Sequence, residues 1–306
     1  METLKFGKME ILVKYGRILK LEPIKGVNVF WNNPSDEKTS YGWLNPGGDR
    51  VWISPENELF MPDGTAASYT VPEGADPGKC SIGKVDEKSV ELLNDISVRF
   101  FKHDYTMNLK LSRVITELES DAPCGVAFAG YEQKLVLSAA EKFPSALKPA
   151  LWSVLQVSPG GKIIFPSGKL VTFTGNTPNV SGSIISLDAQ SPDVPCKIGL
   201  SSLDSKGIMA YMNLDCETPY LVIRRFNVVS GGRYADAPLR EPQSPCAQQF
   251  YFDDGGLGGF GEMEYHTQYL TPEEPEICDV SELRAYVGTP EQLKSILNAA
   301  FEKAGV

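Results

Sequence analysis

Apolar residues recur along this chain in short runs, many of them alternating with polar ones, and Gly, Pro, Asn or Asp closes each run. Residues 97–101, 108–115, 161–165, 169–173 and 220–226 read as strands of four to eight residues on that pattern. Many short strands without regular helical insertions predict stacked antiparallel sheets, because each sheet must bury a face against another layer. The predicted fold class is therefore all-β, a sandwich of antiparallel sheets with few helices.

The clearest helical signal lies at the end of the chain, over about 290–304. Thr289 can cap it, Pro290 suits the first turn, and Gln292 stands at the capping-box position. Leu293, Ile296, Leu297, Ala300 and Phe301 then give one sticky face, which predicts docking on a sheet. A weaker helix is predicted over 8–15, where Met9, Ile11, Leu12 and Tyr15 are apolar. The Gly-, Pro- and Asp-rich segment 230–259 reads as one long ordered loop. No internal repeat or low-complexity segment interrupts residues 1–306, which read as a single β-sandwich domain; β architectures reach this length as one unit.

Composition narrows the function classes. With 42% hydrophobic and 22% charged residues the chain is an ordinary globular protein. Its net charge of −10 argues against a nucleic-acid partner, which would want a basic face. No apolar run approaches the roughly 18–20 residues that cross a bilayer, so no membrane partner is expected. The first residues carry no apolar core of a signal peptide, which points to the cytoplasm. The six cysteines are scattered and never form Cys-x-x-Cys, so free thiols are expected rather than a zinc ribbon or a disulfide framework.

Three stretches carry candidate chemistry. In 261–267, strand alternation puts Glu262, Glu264 and His266 on one face and Met263 and Tyr265 on the other. The polar face is a solvated sheet edge, an acid/base face of a sugar site, or a set of metal ligands; the residue types fit all three. His103, the other histidine, lies between aromatics and beside an acid, a setting for a hydrogen-bonded structural residue or a catalytic one. In 43–57, two glycines precede a strand in which Arg50 and Trp52 project to one face. A guanidinium that donates to hydroxyls and a flat ring that stacks on C–H groups suit a sugar, though an Arg stacked on a Trp also serves structure alone. In 150–161 a strand containing Trp152 runs into a tight turn, which by itself is structural. The glycine-rich run 253–259 has no helix after it, so a conformational role is expected in place of phosphate binding.

Taken in order, G-G-D-R-V-W-I-S-P-E, L-W-S-V-x-Q-V-x-P-G-G-x-I-I-F-P and G-E-M-E-Y-H resemble relatives of the aldose 1-epimerases in the galactose-mutarotase-like superfamily. Residues 6–10 and 41–45 are similar to the same branch, and the resemblance spans about residues 5–270. It implies a β-supersandwich with a sugar cleft on a concave sheet face. It also implies a mono- or oligosaccharide ligand and no cofactor or metal. By that resemblance Glu264 is the general base and His103 or His266 the acid, with Arg50, Trp52, Trp152 and Glu262 around the sugar. The epimerase motifs Asn-His-x-Tyr-Phe and Glu-Thr-Gln-x-x-Pro-Asp are absent. A non-catalytic carbohydrate-binding module on the same fold is therefore the alternative, and a structural domain with a Glu/His metal site is the third.

Overall fold

The computed structural model describes residues 3–33, 38–39, 42–191 and 193–306. Among them, eighteen strands form two nine-stranded sheets in which every paired neighbour is antiparallel. Sheet I runs from edge to edge as β1 (Leu4–Phe6), β2 (Met9–Leu12), β3 (Arg17–Leu21), β4 (Asp49–Ser54), β9 (Ala150–Val157), β17 (Gly261–His266), β16 (Gln248–Phe252), β13 (Cys196–Leu200) and β11 (Leu170–Thr174). Sheet II runs as β12 (Ile184–Asp188), β10 (Lys162–Pro166), β14 (Ile208–Asn213), β15 (Tyr220–Phe226), β18 (Glu276–Val287), β8 (Ala127–Ala139), β7 (Tyr105–Glu117), β6 (Ser89–Phe100) and β5 (Lys79–Val85). The all-β sandwich predicted from the strand pattern is the fold observed.

The sheets bury their facing sides against each other. Met263 and Tyr265 of β17, Leu155 and Val157 of β9, and Tyr131 and Leu283 of sheet II lie in that core. At its centre sits a polar node. Asp49 Oδ2 accepts from Arg113 Nη2 at 2.9 Å, from Arg224 Nη2 at 2.6 Å and from the Tyr131 hydroxyl. Arg113 also donates to the Gly16 carbonyl, and Arg224 to Ser153 Oγ. Burial pulls the Arg224 guanidinium down, but Asp49 more than offsets this and holds it charged. Beside the node, Gln133 donates to Ser281, Tyr265 and Ser153.

Helix α2 (Pro290–Lys303) closes the outer face of sheet II, laying Leu293, Leu297, Ala300 and Phe301 over Phe128, Leu221, Ile223 and Tyr286. Its capping box forms as the sequence implies: Gln292 N donates to Thr289 Oγ1, and Thr289 N to Gln292 Oε1. A one-turn helix, α1 (Glu56–Leu59), follows β4.

Two sequence expectations fail. Residues 8–15 are not helical: Met9–Leu12 is strand β2, paired with β1 and β3, and 13–15 form a single 3-10 turn. Gly7 and Gly16 flank this stretch with φ of +54° and +59°, conformations that turn the chain back rather than continue a helix. Nor is 230–259 all loop, since β16 occupies its middle. The run 253–259 is self-filled: Asp253 Oδ2 accepts from the backbone N–H groups of Gly255, Leu257 and Gly259. A phosphate there would meet a carboxylate already in its place.

Asp49→Ala would leave two buried guanidinium groups facing each other without their carboxylate. The expected cost is about 3–5 kcal/mol in urea unfolding. Lys162→Ala, which breaks an exposed pair with Asp188, should leave the unfolding midpoint where it is.

Candidate functional site

Strand alternation that sends Asp49 inward sends Arg50, Trp52 and Ser54 to the far side of sheet I. The backbone has room to make this strand because Gly48 has no Cβ; one built there would stand 2.3 Å from the Ile18 carbonyl oxygen. Register then assembles the face. Trp52 pairs with Trp152, and Trp152 with His266, in one cross-strand row. Arg50, Val154, Glu264 and Gln249 make the next row, and Gln156, Glu262, Tyr251 and Lys197 the third. Glu262, Glu264 and His266 thus share a face with Arg50, Trp52 and Trp152, while Met263 and Tyr265 point into the core.

This face is not solvated. Glu264 is 0% exposed, His266 and Trp152 1%, Trp52 2%, Arg50 3% and Glu262 7%. Two chain segments cover it, residues 56–76 and 236–237. From the first, Phe60 packs on Trp52 and Trp152 with ring centroids 5.1 and 5.5 Å apart, and Tyr69 stacks on Phe60. Asp76 of that segment accepts from the indole N–H groups of Trp43 and Trp52 and pairs with Arg17. From the second, Asp236 Oδ2 accepts from Gln249 Nε2, and Asp236 Oδ1 from the Glu56 N–H of α1. The ring faces of the tryptophans are themselves occupied. Arg50 lies 4.0 Å from the Trp52 centroid; His266 stacks on Trp152 at 5.6 Å, and Lys197 Nζ lies 4.6 Å from the same ring.

His103 does not join this group. It sits in the turn between β6 and β7, well exposed, with Nε2 3.7 Å from Glu58 Oε2 of α1. Three residues that the sequence reading missed do join. Lys197 Nζ lies 2.9 Å from Glu56 Oε2 and 3.2 Å from Glu264 Oε2, and Asp236 Oδ2 lies 3.9 Å from His266 Nε2. The available signal for Lys197 was a lone cation in an otherwise apolar strand; Asp236 had none.

Charge balance on this face is set by burial. Trp152 Nε1 donates to Glu264 Oε2 at 2.6 Å, and Lys197 draws its carboxyl down. Burial outweighs both and, with Glu262 and Glu56 nearby, pushes Glu264 up to about 8. Burial also raises Glu56. Lys197 is pulled down by burial, but Glu264, Glu56 and Asp236 together more than restore it, so the ammonium stays charged. His266 is driven well below 6.5 by burial and by Lys197, and is neutral at pH 7. One proton is thus retained between Glu56 and Glu264 at neutral pH.

Several buried polar atoms here have no partner: Glu264 Oε1, His266 Nε2, Arg50 Nε and Nη1, and Gln249 Oε1. Arg50 Nη2 and Gln156 Nε2 are both spent on Glu262 Oε1. Among the described residues no group of three His, Cys, Asp or Glu side chains is placed to hold a metal ion, and no helix is long and apolar enough to cross a membrane. A cavity of ≈270 Å³ lies elsewhere, between Leu187, Gln190, Val194 and Phe252.

The sequence matches no protein-family model and no curated protein. Solved structures do match. A TPR-domain containing protein from Parabacteroides distasonis aligns with TM-score 0.51 and 10% identity over 92% of this chain; the chain spans 46% of that protein's length. A putative aldose 1-epimerase from Klebsiella pneumoniae aligns with TM-score 0.52 and 10% identity over 96% of this chain and 79% of that one. A GalM/aldose epimerase homologue from C. elegans covers 94% of this chain and 98% of its own at 9% identity and TM-score 0.45. At such identity the first two matches establish the fold: a β-sandwich shared with an aldose epimerase neighbour.

The charge balance has a measurable consequence. A raised Glu264 stabilises the folded state at low pH, and this is lost as pH rises from 4.5 to about 8. A lowered His266 acts oppositely, with its stabilisation present above pH 6.5 and lost below it. Relative to wild type, Glu264→Gln should therefore gain stability by ~1.4 kcal/mol per pH unit across pH 4.5 to 8. His266→Gln should gain on wild type only as pH falls below 6.5. Urea unfolding at intervals of pH checks both; parallel curves for all three proteins would refute the assignment.

Proposed function

We propose that this chain is a carbohydrate-binding protein whose Glu264 and His266 act as an aldose 1-epimerase-like acid/base pair. One observation carries the reading: of the buried polar atoms without hydrogen-bond partners, Glu264 Oε1, His266 Nε2, Arg50 Nε and Nη1 and Gln249 Oε1 lie together on the aromatic-walled face of sheet I, beside others in the inter-sheet core. Buried polar groups are almost always paired, so such a set calls for a partner that both donates and accepts, as sugar hydroxyls do. The fold shared with an epimerase neighbour supports the same class of ligand.

The electrostatics distribute the roles. Glu264, carrying a proton at neutral pH, gives it to the ring oxygen. Neutral His266 takes the proton of the anomeric hydroxyl at Nε2, in the tautomer whose Nδ1–H donates to Ser54 Oγ. The C1–O5 bond breaks to the open-chain aldehyde, and reclosure on the other carbonyl face returns both protons. Sequence resemblance alone assigns Glu264 the base and histidine the acid. The buried charges favour the reverse for ring opening, and the two assignments exchange on reclosure. In this reading Arg50 and Gln249 hold hydroxyls, and Trp52 and Trp152 offer the sugar the ring surface that Phe60 vacates when the cover lifts.

The covering of the face favours a second reading, in which the fold binds a glycan without turnover. With Phe60 on both tryptophans, no sugar stacks on either ring until the first segment moves.

Polarimetry on freshly dissolved α-anomers of a hexose panel separates the two. Accelerated approach to equilibrium is expected, and Glu264→Gln should lower kcat/KM by about 10²–10⁴-fold. Saturation-transfer NMR with mono- and oligosaccharides that shows binding, while no aldose anomerises faster than in buffer, would select the module. Absence of both would remove the proposal. Tryptophan fluorescence adds a positional check: Trp52 and Trp152 should respond to ligand and Trp31 should not.

A further inference from the structure

Lys197 is a buried cation between two carboxylates that belong to different parts of the molecule. Glu264 is on the sheet floor, in β17, whereas Glu56 is on α1, the first turn of the covering segment. α1 is also anchored by Leu59, fully buried in the core beside Trp52 and Phe60, and by a small set of polar contacts. The Glu56 N–H donates to Asp236, Asn57 donates to the Ala237 carbonyl, and Glu58 lies 3.9 Å from Lys102 and 3.7 Å from His103.

We propose that Lys197 is a positioning residue that couples the ionisation of Glu264 to the seating of α1. With α1 seated, the ammonium is divided between Glu56 and Glu264. With α1 lifted, Glu56 leaves, and Lys197 serves Glu264 alone. Glu264 then holds its proton less tightly and gives it up more readily, to the ring oxygen of a sugar that has entered or, without one, to the water admitted by the opening. The coupling rests on the reading of Glu264 as the acid/base of the site and deepens it: entry of a ligand under the cover sets how readily Glu264 gives up its proton.

Every charged or titratable group around Glu264 enters this balance. Its own strand contributes Glu262 and His266, β13 contributes Lys197, and β4 contributes Arg50, which Glu262 engages. The cover contributes Glu56, Asp236 and Tyr69. Arg50 and Glu262 bind each other, so Glu56 and Glu264 compete for one ammonium, with Asp236 adding to the negative side. Removal of Glu56 is the change that relieves the competition without touching the sheet. The direction in which burial and neighbouring carboxylates push Glu264 agrees with the seated arrangement.

The test uses the full chain without sugar. Infrared spectra are followed against pH for the carbonyl stretch of a protonated carboxyl, identified as the band that Glu264→Gln removes. Its midpoint should lie near pH 8 in the wild type. Glu56→Gln should lower the midpoint by about one pH unit or more, a tenfold or greater loss of proton affinity. Lys197→Met should raise it and Lys197→Arg should restore it, an outcome that a purely structural lysine would not produce. Should Lys197→Met fail to fold, Glu56→Gln decides. A midpoint that Glu56→Gln leaves unchanged or raises overturns the coupling, as does a band insensitive to Glu264→Gln. Because no sugar is present, lack of mutarotation would overturn the proposed function and leave this result standing.

Discussion

The two sheets are locked by one carboxylate oxygen. Asp49 Oδ2 accepts two guanidinium donors and a phenol from β7, β15 and β8 of the opposite sheet, all of them buried. Apolar contacts alone tolerate sliding, since any close-packed arrangement buries similar area. A charged, hydrogen-bonded centre does not: displacement by one residue would turn Asp49 outward and leave two cations in the core. β4 is thereby fixed in register, and through it β9 and β17, which pair with each other beside it. The position of every side chain on the far face of sheet I follows.

That far face inverts the usual economy of a sheet. In a two-layer sandwich the outer side is expected to meet water, with polar residues solvated. Here it carries Glu262, Glu264, His266, Arg50 and Lys197, and all are withdrawn from water by two loop segments. Desolvation rather than any single ion pair then sets the protonation of the group: three carboxyl groups are arranged about one ammonium, and one proton stays behind. Such surroundings raise the carboxyl and lower the imidazole, so that at neutral pH the carboxyl holds a proton and the imidazole is free to accept one.

Much of this was legible in the chain, because a strand has a period of two. Placing Glu262, Glu264 and His266 on one face needed only alternation, and the capping box of α2 needed only Thr289 and Gln292. Residues 8–15 were misread because eight residues are too few to separate a period of 3.6 from a period of 2: Met9, Ile11 and Leu12 satisfy both. The flanking glycines were the better signal. Lys197, Glu56 and Asp236 escaped for a different reason. Each acquires its role from cross-strand register or from a loop folding back over the sheet, across separations of 28 to 208 residues from Glu264. His103 illustrates the converse, for rarity drew attention to it, yet it sits on the β6–β7 turn facing Glu58, whereas the other histidine stacks on Trp152 in the sheet.

The cover also bears on how tightly any ligand can be held. If binding requires α1 and Phe60 to move, the observed affinity is the intrinsic affinity reduced by the fraction of molecules already open. A ligand shifts that fraction only by replacing the contacts that closure makes. On the proposed carbohydrate reading, a pyranose has the means for each replacement. Its C–H face can take the place of Phe60 on Trp52 and Trp152, and its hydroxyls can take the place of Glu56 at Lys197 and of Asp236 at Gln249. They can also reach the Arg50 and Glu264 atoms that closure leaves without partners. An aliphatic ligand would satisfy the rings and strand the charges; a small anion would do the reverse. On that reading the closed state discriminates by what it would lose, and a polyol with one flat apolar face loses least.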